Sequence, residues 1–238
     1  MRKIYFGIAA LVLCLLGIFL VSNYAMAASN SAGGIVVQTI PGPTLAQTVV
    51  ERAQGSWPWY LVRGSGIIAA ITMVILMLSG IGMITGHTFK FLEPITAWAS
   101  HRALGIILGV SVLIHMFGLL FDKFIPFSLA TLFVPWLSNY QPVTIFGVQL
   151  GSLYVALGVL AFYLIAMIVI TSLVWIEKRA FIWKLIHLLS YLVILMVFIH
   201  ALYLGTDLKQ GVLRYLWIAA GLAIAFSVYV RLKRAKSV

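Results

Sequence analysis

Five long apolar runs, at approximately 61–85, 98–121, 149–175, 182–204 and 213–231, contain no aspartate or glutamate. All five acids, Glu51, Glu93, Asp122, Glu177 and Asp207, fall between them. At 1.5 Å of rise per residue, each run is long enough as a helix to cross a hydrocarbon layer about 30 Å thick. A carboxylate inside that layer would cost at least about 2.5 kcal/mol, so its absence lets every run span. Lipid offers the backbone no hydrogen-bond partner, which favours helices over isolated strands. Only 9% of the residues are charged and 63% are hydrophobic, against about 25% charged in a soluble domain. The expected fold class is all-α: a polytopic membrane helical bundle with five core transmembrane helices.

The bundle is preceded by residues 1–27, where Arg2 and Lys3 lead into an apolar stretch ending in Ala25-Met26-Ala27. This is either a signal peptide cut at the A-x-A site or, since the stretch exceeds the usual apolar core of such a peptide, a signal-anchor or first transmembrane helix. Residues 28–59, rich in Ser, Gly, Pro and Thr, are read as an external irregular segment ending in the interfacial aromatics Trp57, Trp59 and Tyr60. The core domain spans 60–231, and 232–238 forms a basic cytoplasmic tail. The single cysteine, Cys14, excludes an intramolecular disulfide, a thiolate metal cage and an iron–sulfur cluster by count. The connection at about 122–148 holds Pro126, Pro135, Trp136 and Pro142 and is expected to form a short interfacial helix or cap.

The net charge is +11, but the sixteen Lys and Arg are scattered over loops and ends without the basic stripe that nucleic acid requires. They fit the positive-inside rule instead, with contacts to membrane lipid. If the apolar run within residues 1–27 enters from the cytoplasm, Lys90, Arg102, Lys178, Arg179, Lys184, Arg231, Lys233, Arg234 and Lys236 join Arg2 and Lys3 inside and only Arg52, Arg63, Lys123, Lys209 and Arg214 lie outside. The C-terminus is then cytoplasmic, in a bacterial inner or plasma membrane.

Four of the five histidines lie within two runs: His101 and His115 in one, His187 and His200 in another. Ionisable residues inside a membrane are functional candidates by default. Both runs ascend from inside to outside, which sets His101 level with His187 and His115 level with His200. Fourteen residues separate 101 from 115, close to four turns, so both rings leave one helix face about 21 Å apart. Gly105 and Gly109 lie on nearly the same stripe, leaving room for a flat macrocycle or a close helix. Thirteen residues separate 187 from 200, which turns the second ring by roughly 140° and requires laterally displaced sites or an irregular helix. Two imidazoles on opposite sides of a haem iron give a low-spin centre suited to electron transfer. His87, in an inner loop, has no level partner and reads as solvated. Gly80, Gly82 and Gly86 do not form a nucleotide loop and read as helix-packing glycines.

The stretch Arg63-Gly64-Ser65-Gly66, then His101-Arg102-Ala103-Leu104-Gly105 with His115, then Trp183-Lys184-Leu185-Ile186-His187 with His200 resembles the ferric reductase-like transmembrane domain. That domain is shared by iron reductases, NADPH oxidases and the haem subunit of the periplasmic methionine sulfoxide reductase system. The likeness covers roughly residues 60 to 210, and its histidine spacings are the specific part. It implies two bis-histidine haem b groups, His101 with His187 and His115 with His200, the same pairing that depth gives. Arg63 is read either as a partner for haem propionates or substrate at the outer mouth, or as a snorkelling interface arginine. Arg102 and Lys184 are read as neutralising inner propionates or as positive-inside anchors.

The expected function is a transmembrane di-haem b-type cytochrome, an oxidoreductase component that takes electrons from a cytoplasmic or quinol donor. Its external acceptor is ferric chelate, oxygen or a periplasmic redox partner. Iron reductases and oxidases of the resembling family carry a cytoplasmic flavin and nicotinamide domain after the last helix, whereas this sequence closes at Val238. A separate flavoprotein or quinol, with any flavin supplied by the partner, is therefore expected as donor. The alternative is a haem-free, histidine-containing membrane transporter or proton pathway.

Overall fold

A computed structural model describes residues 45–122, 127–145, 148–150 and 152–235. The chain divides at residue 50 into two units. The account below concerns the second. The expected leader at 1–27, the irregular stretch up to residue 44 and the last three residues of the basic tail lie outside the described residues.

The first helix, α1 (Leu45–Ile84), starts inside the segment expected to be irregular. The reason is local: Leu45-Ala46-Gln47 and Glu51-Arg52-Ala53-Gln54 are strong helix formers, hidden in sequence by the Pro- and Gly-rich stretch before them. Pro58 is carried within this helix at the loss of one backbone bond. After a turn at Gly86, whose φ is +77°, and a 3₁₀ turn at Thr88–Lys90, α2 (Pro94–Gly118) begins with proline in its first turn behind an extended Glu93.

The next connection does contain the expected short helix. This is α3 (Leu129–Phe133), opened by a capping box between Ser128 and Thr131. It also contains an antiparallel hairpin, β1 (Val143–Ile145) and β2 (Val148–Leu150), with Val143 opposite Leu150. The hairpin takes the first residues of the apolar run expected from 149. Accordingly α4 (Leu153–Val174) starts later, at an N-cap where Ser152 accepts from the Val155 N–H.

The fourth run is divided into α5 (Ala180–Leu188) and α6 (Ser190–Leu204), with Leu189 between them. The Leu189 N–H bonds to the Ile186 carbonyl three residues back, a 3₁₀ tightening. A final α7 (Val212–Ala235) completes the bundle.

Among the described residues, five helical segments are long and apolar enough to cross a membrane: Gly55–Ile84, Pro94–Phe121, Leu153–Val174, Ala180–Leu204 and Val212–Lys233. Their inward faces meet in one cluster that includes Met73, Met77, Leu108, Ala161, Ile165, Val193, Met196 and Ile224. Their outward faces leave large side chains such as Ile106, Val110, Ile170, Leu195 and Phe226 exposed, as expected of a surface solvated by lipid tails. α4 and α6 are the most closely packed helix pair, whereas α2 has no comparable backbone approach to α5 or α6. The helices bearing the histidines are thus held by their neighbours rather than by each other.

Candidate functional site

His101 near the start of α2 and His187 at the end of α5 face one another, with ring centroids 6.2 Å apart and planes at 50°. His115 and His200 lie at the opposite end of the bundle, where they are partly buried. The Leu189 tightening falls between His187 and His200 and supplies part of the rotation that their thirteen-residue spacing leaves out of phase.

Each imidazole is anchored through Nδ1 to a neighbouring helix. His115 donates Nδ1–H to the Val62 carbonyl of α1 at 2.9 Å. His200 donates likewise to the Tyr154 carbonyl of α4 at 2.8 Å. A carbonyl can only accept, so both rings carry their proton on Nδ1 and keep the Nε2 lone pair for a ligand. At the other end, His101 Nδ1 lies 3.1 Å from the Ser79 hydroxyl of α1. That hydroxyl gives its own proton to the Leu76 carbonyl and is left to accept from the ring. His187 Nδ1 lies 3.4 Å from Ser172 Oγ of α4, which also accepts the Trp183 indole N–H at 3.0 Å.

Glycines make the close approaches possible. A Cβ on Gly66 would sit 3.0 Å from His115 Nδ1, one on Gly158 2.6 Å from the His200 ring, and one on Gly80 3.3 Å from His101. Gly66 and Gly158 each stand four residues after the accepting carbonyl, Val62 and Tyr154, and so clear the same turn of helix for the ring. Gly82 instead faces Thr88, and Gly86 is a turn residue. Of the three glycines read as helix-packing, Gly80 is set against the His101 ring of α2 and Gly82 against Thr88 of the 3₁₀ turn, while Gly86 has nothing within 4 Å of its missing Cβ. The hydrogen bonds therefore repeat between α1–α2 and α4–α6, although no repeat is visible in the sequence.

Between the first pair of histidines lies a cavity of about 560 Å³, within the range of cofactor pockets. Its wall includes Met73, Met77, Gly105, Leu108, Ile165 and Val193, and its charged lining is Arg102, Lys184 and Arg231 with no carboxylate. Arg102 lies over the Trp98 ring at 5.6 Å, and Arg231 donates to the Tyr191 hydroxyl. His115 and His200 are outside this cavity's lining. Arg63 is at their end of the bundle, ion-paired with Asp207 through Nε at 2.9 Å and through its terminal nitrogen, and stacked 3.9 Å over the Trp59 ring. His87 is exposed and its Nδ1 is 3.2 Å from Thr85 Oγ1.

The sequence reading did not identify Arg231, Ser79, Ser172, Trp183 or Asp207 as site residues. A polar residue one helix away from each histidine at matching depth was the available signal for the serines. Among the described residues, no group of three or more His, Cys, Asp or Glu side chains converges to hold a metal. No protein-family model, curated protein or solved structure gives a significant match to this chain.

Proposed function

We propose that the chain is a transmembrane di-haem b-type cytochrome of the ferric reductase-like kind, with His101 and His187 holding one haem and His115 and His200 the other. It carries electrons from a cytoplasmic flavoprotein or a membrane quinol to an external acceptor, either ferric chelate, oxygen or a periplasmic redox protein. The single observation that carries this reading is the 6.2 Å between the His101 and His187 ring centroids. A nitrogen–metal bond of about 2 Å, plus roughly 1 Å from ring nitrogen to centroid on each side, gives about 6 Å for two imidazoles sharing one metal ion.

The surroundings support the same ligand class. Apolar walls with a cationic rim suit a planar apolar molecule bearing carboxylates. Arg102, Lys184 and Arg231 would meet the propionates, while Met73, Met77 and Leu108 keep water from the ring faces. The Nδ1 bonds fix each imidazole in orientation, as outer partners of metal-bound histidines do. When bound, haem would supply one-electron chemistry, with His101 and His187 holding one group and His115 and His200 the other.

An absorption spectrum of the dithionite-reduced, purified chain with a haem-to-protein ratio tests this. Sharp low-spin bands and two haems per chain are expected, one lost in His101→Ala or His187→Ala and the other in His115→Ala or His200→Ala. A colourless protein after expression with ample haem would refute the proposal and favour a transporter or proton pathway.

A further inference from the structure

The four imidazoles are not held alike. At one end both Nδ1 atoms donate to peptide carbonyls, at 2.9 and 2.8 Å. At the other end both face serine hydroxyls, at 3.1 and 3.4 Å. A peptide carbonyl is a strong acceptor, and hydrogen bonds weaken as they lengthen past about 3.2 Å. Each hydroxyl is also shared: Ser79 with the Leu76 carbonyl, Ser172 with the Trp183 indole. A ring that gives its Nδ1 proton to a strong acceptor gathers negative charge on Nε2 and donates more strongly to a metal. Stronger donation favours oxidised over reduced iron and lowers the reduction potential.

We infer that Ser79 and Ser172 are positioning residues that make His101 and His187 the weaker-donating ligand pair, so that the site they form has the higher reduction potential of the two. The inference rests on the di-haem reading. The cations Arg102, Lys184 and Arg231 around the same cavity push in the same direction, because positive charge favours the reduced metal. The serine effect must therefore be read with those cations left in place.

The test is a potentiometric titration of the purified full chain, followed by its visible absorption. It compares wild type with Ser79→Ala, Ser79→Thr and Ser172→Ala, using His101→Ala and His115→Ala to assign the two waves. The expected result is that the higher wave belongs to His101 and His187. Ser79→Ala and Ser172→Ala each shift it further upward while the other wave stays, and Ser79→Thr returns it to the wild-type position. If Ser79→Ala sheds its haem, Ser172→Ala decides: an upward shift of that one wave supports the inference and an unmoved wave overturns it. Reversed assignment, joint movement of both waves, or haem-replete alanine variants that titrate as wild type also overturn it. A wild-type chain that binds no haem would overturn the functional reading beneath it, a distinct result.

Discussion

Two helical glycines differ only in what stands opposite them, and that difference decides the sign of a substitution. Gly64 has nothing within 4 Å of an added Cβ, whereas one on Gly158 would lie 2.6 Å from the His200 ring. Helix propensity alone makes Gly→Ala favourable by up to about 1 kcal/mol, while forcing a side chain into a packed site costs about 1–3 kcal/mol. Gly64→Ala should therefore raise the melting temperature in detergent slightly. Gly158→Ala should lower it and, on the di-haem reading, release one haem equivalent, measured by absorbance against protein. The Arg63–Asp207 pair invites a second comparison, because its side chains are only 12% and 17% exposed. Truncating one member leaves a largely desolvated charge, so Asp207→Ala should destabilise by about 2 kcal/mol. Arg63→Ala with Asp207→Ala should cost less than the sum of the single changes in a thermal-denaturation cycle.

At the scale of elements, Leu189 sets the phase between the two histidines of the fourth span. The 3₁₀ tightening there advances the chain by about 20° more per residue than an α-helix does, which recovers part of the rotation lost by the thirteen-residue spacing. Deleting Leu189 would shorten the spacing to twelve and rotate His200 by about 100° relative to His187, away from the Tyr154 carbonyl it bonds. The shortened chain should therefore retain its membrane spans and lose one of two haem equivalents, as read from the reduced spectrum. The spans themselves were legible in sequence because hydropathy is a property of each run taken alone, and their ends came within a few residues. Two elements were not: the opening of α1, whose helix formers follow a Pro- and Gly-rich stretch, and the hairpin, whose Val-Thr-Ile and Val-Gln-Leu strands flank Phe146-Gly147. Phe-Gly is not among the residue pairs that mark a two-residue hairpin turn, and the second strand overlaps the start of a neighbouring apolar run. The level pairing of the histidines followed from helix direction and depth. Their anchors did not, since bonds such as Ser79 to His101 or Tyr154 to His200 join different helices, and no local period encodes which neighbour a ring will face.

Taken whole, the molecule exposes apolar side chains along every span, among them Ile75, Val110, Ile170, Leu195 and Leu222, far more than a water-soluble surface carries. High salt or alkaline carbonate should leave it in the membrane pellet and detergent should extract it, as followed by immunoblot. The ion pair described above also ties the start of the core to the turn before its last helix, for Asp207 lies 144 positions after Arg63 along the chain. Synthesis proceeds from the amino end, so this clasp cannot close until four of the five spans have left the ribosome. A nascent polypeptide that stalls before Asp207 therefore lacks the ion pair that joins the first core span to the segment after the fourth.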